Sequence, residues 1–132
     1  MVERSIDWFR QGIRDLEAAR LMVKQGFYEW ACFLSQQASE KAVKAVLIRL
    51  GFEPFGHSVA GLLQEISKRF KVPNELIDRA KELDKAYIPT RYPNAHPEGA
   101  PFQLYTEVEA RRLIEHAERI TKYCEDILSK IQ

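Results

Sequence analysis

The sequence has only two cysteines, Cys32 and Cys124, too few and too far apart for a disulfide framework or a zinc site. A reduced compartment is the simpler expectation. No stretch approaches the roughly eighteen consecutive apolar residues of a membrane-spanning helix. Net charge is also scarce: twenty basic side chains face nineteen acidic ones, leaving +1. No global field therefore draws in nucleic acid, and any RNA-binding surface has to be a local patch. The opening Met-Val-Glu-Arg-Ser-Ile-Asp leads directly into an amphipathic pattern with no apolar core of a signal peptide, so a cytoplasmic protein is expected. Strand alternation, internal repeats and low-complexity tracts are missing too. So are a His-Glu-x-x-His pattern, a Gly-rich phosphate loop and a carboxylate cluster, so metal-assisted hydrolysis and P-loop chemistry lack support and no metal or cofactor is expected.

What remains is helix. The 132 residues, 45% hydrophobic and 30% charged, are enough for one domain over 1–132 with a real core. Trp8, Phe9, Ile13, Leu16, Ala19, Met22 and Val23 recur at three- and four-residue steps until Gly26 stops the first helix. A second helix, about Phe27 to Leu50, is apolar nearly all round and ends at Gly51. Such a helix is usually covered on most sides, which makes it the expected central pillar. Ser58 reads as the N-cap of a helix through Leu62, Leu63, Ile66 and Phe70, and Asn74 as the cap of another ending near Tyr87. Thr106 and Glu109 have the spacing of a capping box for a last helix that runs to about Ile131. The fold class is all-α, an antiparallel bundle of four to five helices.

Between the last two helices, Ile88 to Tyr105 carries four prolines and no sustained period. Connections of that length are often functional. Within it, Arg91-Tyr92-Pro93-Asn94-Ala95-His96 sets an arginine and a histidine with four residues between them. A guanidinium stays charged and holds a phosphate through parallel hydrogen bonds. An imidazole titrates near neutrality without help. The pair can grip a phosphodiester and move its proton, although an Arg and a His share a loop by chance in many proteins.

Two segments together resemble a known family. One is Ala31 to Ala45, reading Ala-Cys-Phe-Leu-Ser-Gln-Gln-Ala-Ser-Glu-Lys-Ala-Val-Lys-Ala and preceded by Gly26-Phe27-Tyr28. The other is the Arg-x4-His placed before the final helix. The combination resembles HEPN (higher eukaryote and prokaryote nucleotide-binding) domain proteins over essentially the whole chain. The resemblance implies an up-and-down bundle, like the substrate-binding subunits of nucleotidyltransferases, that forms a homodimer with the Arg and His of both subunits near the interface. In many relatives that pair cuts RNA without a metal. Others are inactive partners of a minimal nucleotidyltransferase, or bind nucleotides. Arg91 and His96 match the catalytic pair. Active members commonly have a polar residue directly after the arginine, where this chain has Tyr92.

Gln37, Lys41 and Lys44 share one face of the second helix, and Glu40 and Lys44 are an i,i+4 pair. With Tyr92, these three are candidates for substrate binding; the alternative is that they bond the long loop or lie at a subunit contact. His57 reads as a local turn residue. Arg112, His116 and Arg119 alternate with Glu115 and Glu118, the pattern of a solvated charged face. The leading expectation is a metal-independent endoribonuclease, the toxin of a two-component module. A non-catalytic nucleotide-binding or interaction module paired with a minimal nucleotidyltransferase stands beside it, as does a structural dimer in which Arg91 merely caps carbonyls.

Overall fold

The computed structural model describes residues 2–131. Its elements are α1 (Ser5–Lys24), α2 (Tyr28–Arg49), α3 (Val59–Ile66), α4 (Asn74–Asp84), a 3-10 turn at Pro93–Ala95, α5 (Pro101–Leu104) and α6 (Glu107–Lys130). Every regular element among the described residues is helical, and none of these helices is long and apolar enough to cross a membrane.

α2 is the pillar, in contact with α1, α3, α4, α5 and α6. Ala31, Cys32, Ala38, Ala42, Val43, Ala45 and Val46 on it have no exposed surface. Gly26 and Gly51 follow α1 and α2 at φ +84° and +92°, conformations that residues with a side chain rarely adopt. Arg49, at the end of α2, donates to Glu3 Oε2 and Ser5 Oγ near the start of α1, and to the Ile131 carbonyl after α6. α1 therefore runs antiparallel to α2, while α6 runs parallel to it. The shorter α3 and α4 fill the gap that this arrangement leaves.

The α1–α2 contact is unusually close at one point. A Cβ on Gly12 would stand 2.9 Å from the Ala38 carbonyl oxygen and 3.3 Å from the Ala42 nitrogen, both backbone atoms that cannot swing away. Glycine in a helix costs about 1 kcal/mol against alanine, so close packing is the reason it is tolerated here. Gly12→Val should destabilise by about 2 kcal/mol through overpacking, read as a lowered urea midpoint. An unchanged midpoint would mean that the helices part without cost.

Several sequence expectations shift by a turn. α3 stops at Ile66, because the chain tightens into i→i−3 bonds from Lys68 to Glu65 and from Arg69 to Ile66. Ser58 does cap it, accepting from the Gly61 N–H at 3.0 Å. Asn74 is the first helical residue of α4 and not its cap; Pro73 holds that place in an extended conformation. The Thr106 hydroxyl accepts from the Glu109 N–H, the expected half of the capping box. The long connection is partly ordered by its own prolines: Pro93 starts the 3-10 turn and Pro101 starts α5, where a missing N–H costs nothing.

The stripe on α6 is also more than a solvated face. His116 is buried, its Nε2 2.6 Å from Glu82 Oε1 and its Nδ1 2.8 Å from Arg79 Nη1. Arg112 also bonds Glu82, and Arg119 reaches Glu75, so charged side chains lace α4 to α6. Hydrogen bonds from Arg112, then from His116, pull the Glu82 carboxyl from 4.5 down to about 2. A carboxyl depressed in the folded state contributes stability above its unfolded value and loses it as pH falls through the folded one. The melting temperature should therefore drop between pH 4.5 and 2, and less steeply in Glu82→Gln. Equal slopes in both proteins would show that this contact does not govern acid stability.

Candidate functional site

Arg91 and His96 both fold back onto one short turn. After α4, residues 85–91 continue in turns, and Thr90 is buried with its hydroxyl on the Ala86 carbonyl at 2.6 Å. Arg91 donates through Nε and Nη2 to the Tyr87 carbonyl at 3.0 and 2.8 Å. His96 Nε2 lies 2.6 Å from the Pro89 carbonyl, two residues further on. No direct bond joins the two side chains; each is anchored on its own carbonyl of that turn.

Each anchor decides what its side chain can do. A carbonyl only accepts, so Nε2 of His96 is the donor, and in the neutral ring Nδ1 presents the lone pair. That is the form of a base held in one tautomer by a backbone group. On Arg91, the edge formed by Nε and Nη2 is spent on Tyr87, and the end-on edge of Nη1 and Nη2 remains for an anion. Three rings surround the guanidinium carbon: Phe33 at 4.4 Å, Tyr87 at 4.8 Å and Tyr92 at 5.1 Å. Such cation–π contacts hold the charge in place without neutralising it.

Aromatic side chains extend outward from this cage. Trp30 packs edge-on against Phe33 and is 42% exposed, and Tyr92 is 46% exposed. The α2 surface that carries Trp30 and Phe33 is thus open, whereas its apolar composition suggested cover on most sides. Tyr105 meets the His96 ring edge-on at 6.1 Å and is partly buried, which pushes its hydroxyl up to about 12. Tyr87 packs on Phe33 and Tyr105 on the core, whereas Phe102 is largely exposed.

Gln37, Lys41 and Lys44 lie further along α2 and hydrogen-bond neither the arginine nor the long loop. Gln37 donates to Gln36 Oε1 at 2.7 Å. Lys41 pairs with Asp15 of α1 at 2.6 Å, and Lys44 pairs with Glu40 at 3.0 Å while facing the Trp8 ring. At the centre is Glu40, buried, whose carboxylate also receives Gln36 Nε2 at 3.2 Å and lies 3.1 Å from His57 Nδ1. His57 is no mere turn residue: its ring stacks on Tyr87 at 4.7 Å and 17°. Glu40 and His57 are the site neighbours that sequence reasoning missed. For Glu40 the available signal was a carboxylate on the mostly apolar helix expected to be buried, because an acidic side chain is rarely buried without partners.

The two cysteines are buried and free, and loss of hydration raises the Cys32 thiol to about 12 and raises Cys124 as well. Neither is an activated nucleophile. Among the described residues no group of three His, Cys, Asp or Glu side chains is placed to hold a metal ion.

Fold and site together define a helical bundle with an Arg-x4-His pair on the connection before its last helix. The family model for the HEPN domain matches residues 5–127, and the chain belongs to that family. It is 28% identical to a Methanocaldococcus jannaschii protein described as "Putative toxin MJ1304", over 93% of this chain and 87% of that one. Among solved structures, TT1696 from Thermus thermophilus superposes with a TM-score of 0.93 at 40% identity, over 96% of this chain and 99% of that one. ST0689, described as an archaeal HEPN homologue, gives 0.81 at 43% identity over 99% and 100% of the two chains. An HEPN domain protein of Thermotoga maritima gives 0.79 at 48% over 95% and 99%.

Proposed function

We propose that this protein is a metal-independent endoribonuclease of the toxin kind, acting through Arg91 and His96. The observation that carries the reading is the pair of anchors on one turn: His96 Nε2 lies 2.6 Å from the Pro89 carbonyl, and the caged Arg91 donates to the Tyr87 carbonyl two residues before it. In the reaction, Nδ1 takes the proton of a ribose 2′-hydroxyl. The O2′–P bond forms, the P–O5′ bond breaks, and the leaving O5′ receives a proton. The end-on edge of Arg91 meets the charge that grows on the non-bridging oxygens. Products are a 2′,3′-cyclic phosphate and a 5′-hydroxyl. One imidazole cannot take and give a proton at the same instant, so a homodimer, with a second site close by, supplies the acid. Exposed Trp30 and Tyr92 beside the Arg91 cage support such an interface, since aromatic side chains are enriched there. The half-exposed Tyr92 ring and hydroxyl serve substrate binding.

A second reading is favoured by the commitment of half the Arg91 fork to Tyr87. An arginine so held binds a nucleotide phosphate without cutting anything, as in a module that partners a minimal nucleotidyltransferase. The two readings separate in one experiment. Purified protein should cleave single-stranded RNA in excess chelator. Arg91→Ala should slow cleavage about 100-fold, and Arg91→Lys should restore part of the loss, because lysine lacks the planar fork. RNA left uncut by wild type, with nucleotide binding that depends on Arg91, would replace the enzyme with the binding module.

A further inference from the structure

The turn that carries Arg91 is itself held from two sides by the loop before α3. Asp84, at the end of α4, accepts from Ser58 Oγ at 2.8 Å and from the Val59 and Ala60 N–H groups at 2.7 and 3.2 Å. This carboxylate closes the N-terminus of α3 from another helix and locks residues 58–60 beside residue 84. Three residues on, the Tyr87 ring lies flat against His57. His57 is in turn tied to α2: its Nδ1 is 3.1 Å from the Glu40 carboxylate, and its backbone carbonyl accepts from Gln36 Nε2 at 2.9 Å. Since the carboxylate accepts, Nδ1 carries the proton and the ring plane is set by a buried group. Tyr87 then supplies Arg91 with both a ring face and the carbonyl that takes two of its hydrogen bonds.

We propose that His57 is a positioning residue whose flat ring, stacked on Tyr87, holds Arg91 in its working place. A ring that lies outside regular helix keeps its orientation only through its neighbours, and Tyr87 has two aromatic ones, Phe33 at 6.2 Å and His57 at 4.7 Å. Removal of the nearer one frees the tyrosine and with it the carbonyl under the guanidinium. The consequence for cleavage rests on the nuclease reading; the bracing of Arg91 does not.

The test uses the full chain labelled with nitrogen-15, in which the Arg91 Nε–H resonance is identified by its loss in Arg91→Lys. A proton bonded to a carbonyl among three rings should be ring-current shifted and slow to exchange. His57→Phe keeps a flat ring without the bond to Glu40, and should leave that resonance in place. His57→Asn keeps a donor for Glu40 without the ring and should lose the shift and the protection; Tyr87→Leu keeps the carbonyl without the stack and should lose the protection. In RNA cleavage, His57→Asn should lower kcat about tenfold with KM unchanged and His57→Phe should stay within about twofold, the signature of a misplaced group and not of lost binding. An Arg91 resonance in His57→Asn that keeps its wild-type position and protection overturns the proposal whatever happens to RNA. Equal loss of kcat in Phe and Asn variants, with the resonance intact in Phe, also overturns it, because His57 would then act on the substrate. If the resonance responds as stated but wild type leaves RNA uncut, the brace stands and the nuclease reading falls.

Discussion

His96→Ala is expected to abolish RNA cleavage, by about a thousandfold or more, while the helical circular dichroism spectrum stays that of wild type. The size follows from the role. Without Nδ1 the 2′-hydroxyl has no positioned acceptor for its proton, and general base catalysis is worth about 100- to 10,000-fold. The spectrum is expected to survive because His96 sits on a connection and its bond to Pro89 ties loop to loop, with no helix dependent on it. His96→Asn sharpens the result. Asparagine keeps a donor for the Pro89 carbonyl but has no basic nitrogen, so its loss should equal that of alanine. Activity retained in His96→Asn would mean that the imidazole only orders the loop.

Glu40→Ala should have the largest effect on stability, about 3 kcal/mol, seen as a melting temperature lower by about 10 °C. The Glu40 side chain is 6% exposed and that of Lys44 is 10% exposed. Truncation leaves an ammonium without its counter-charge in a place that water barely reaches, and it takes an acceptor from Gln36 and His57 as well. Removal of both charges is a different matter. Glu40→Leu with Lys44→Met should recover much of the loss, since a buried ion pair replaced by apolar side chains is often neutral. A single variant within about 0.5 kcal/mol of wild type would show that the network is dispensable.

The helices were legible in the sequence because their signals are local. Periodic apolar residues, the glycines at 26 and 51 and the caps at Ser58 and Thr106 act within a turn or two of chain, and the structure places each of them as read. The local signals mislead where the outcome depends on distant partners. Asn74 has the right side chain for a cap, but Pro73 already held the extended conformation that the cap position requires. The α6 stripe reads as a solvated face until α4 is set against it and buries His116 between Arg79 and Glu82.

For the candidate site the division is sharper. Arg91 and His96 could be picked from their chemistry and spacing. Their anchors could not, because hydrogen bonds to the Tyr87 and Pro89 carbonyls leave no mark in residue identity. Helical spacing sets Gln37, Lys41 and Lys44 on one face of α2. That spacing says nothing of Asp15 on α1 or of the buried Glu40 pairing, which take Lys41 and Lys44 as partners. The link from this network to Arg91 runs through His57 and Tyr87, thirty residues apart in sequence and in contact only after α3 and α4 fold together.

If Arg91 and His96 cut RNA by attack of its own 2′-hydroxyl, a single ribonucleotide is enough to make a strand cleavable. An oligodeoxynucleotide that carries one, incubated with the full protein in excess chelator, should be cut once, on the 3′ side of that ribonucleotide. One product should carry a 2′,3′-cyclic phosphate and the other a 5′-hydroxyl, with no cut by His96→Asn. Cleavage of the all-deoxy strand, or products that carry a 5′-phosphate, would contradict attack by the 2′-hydroxyl.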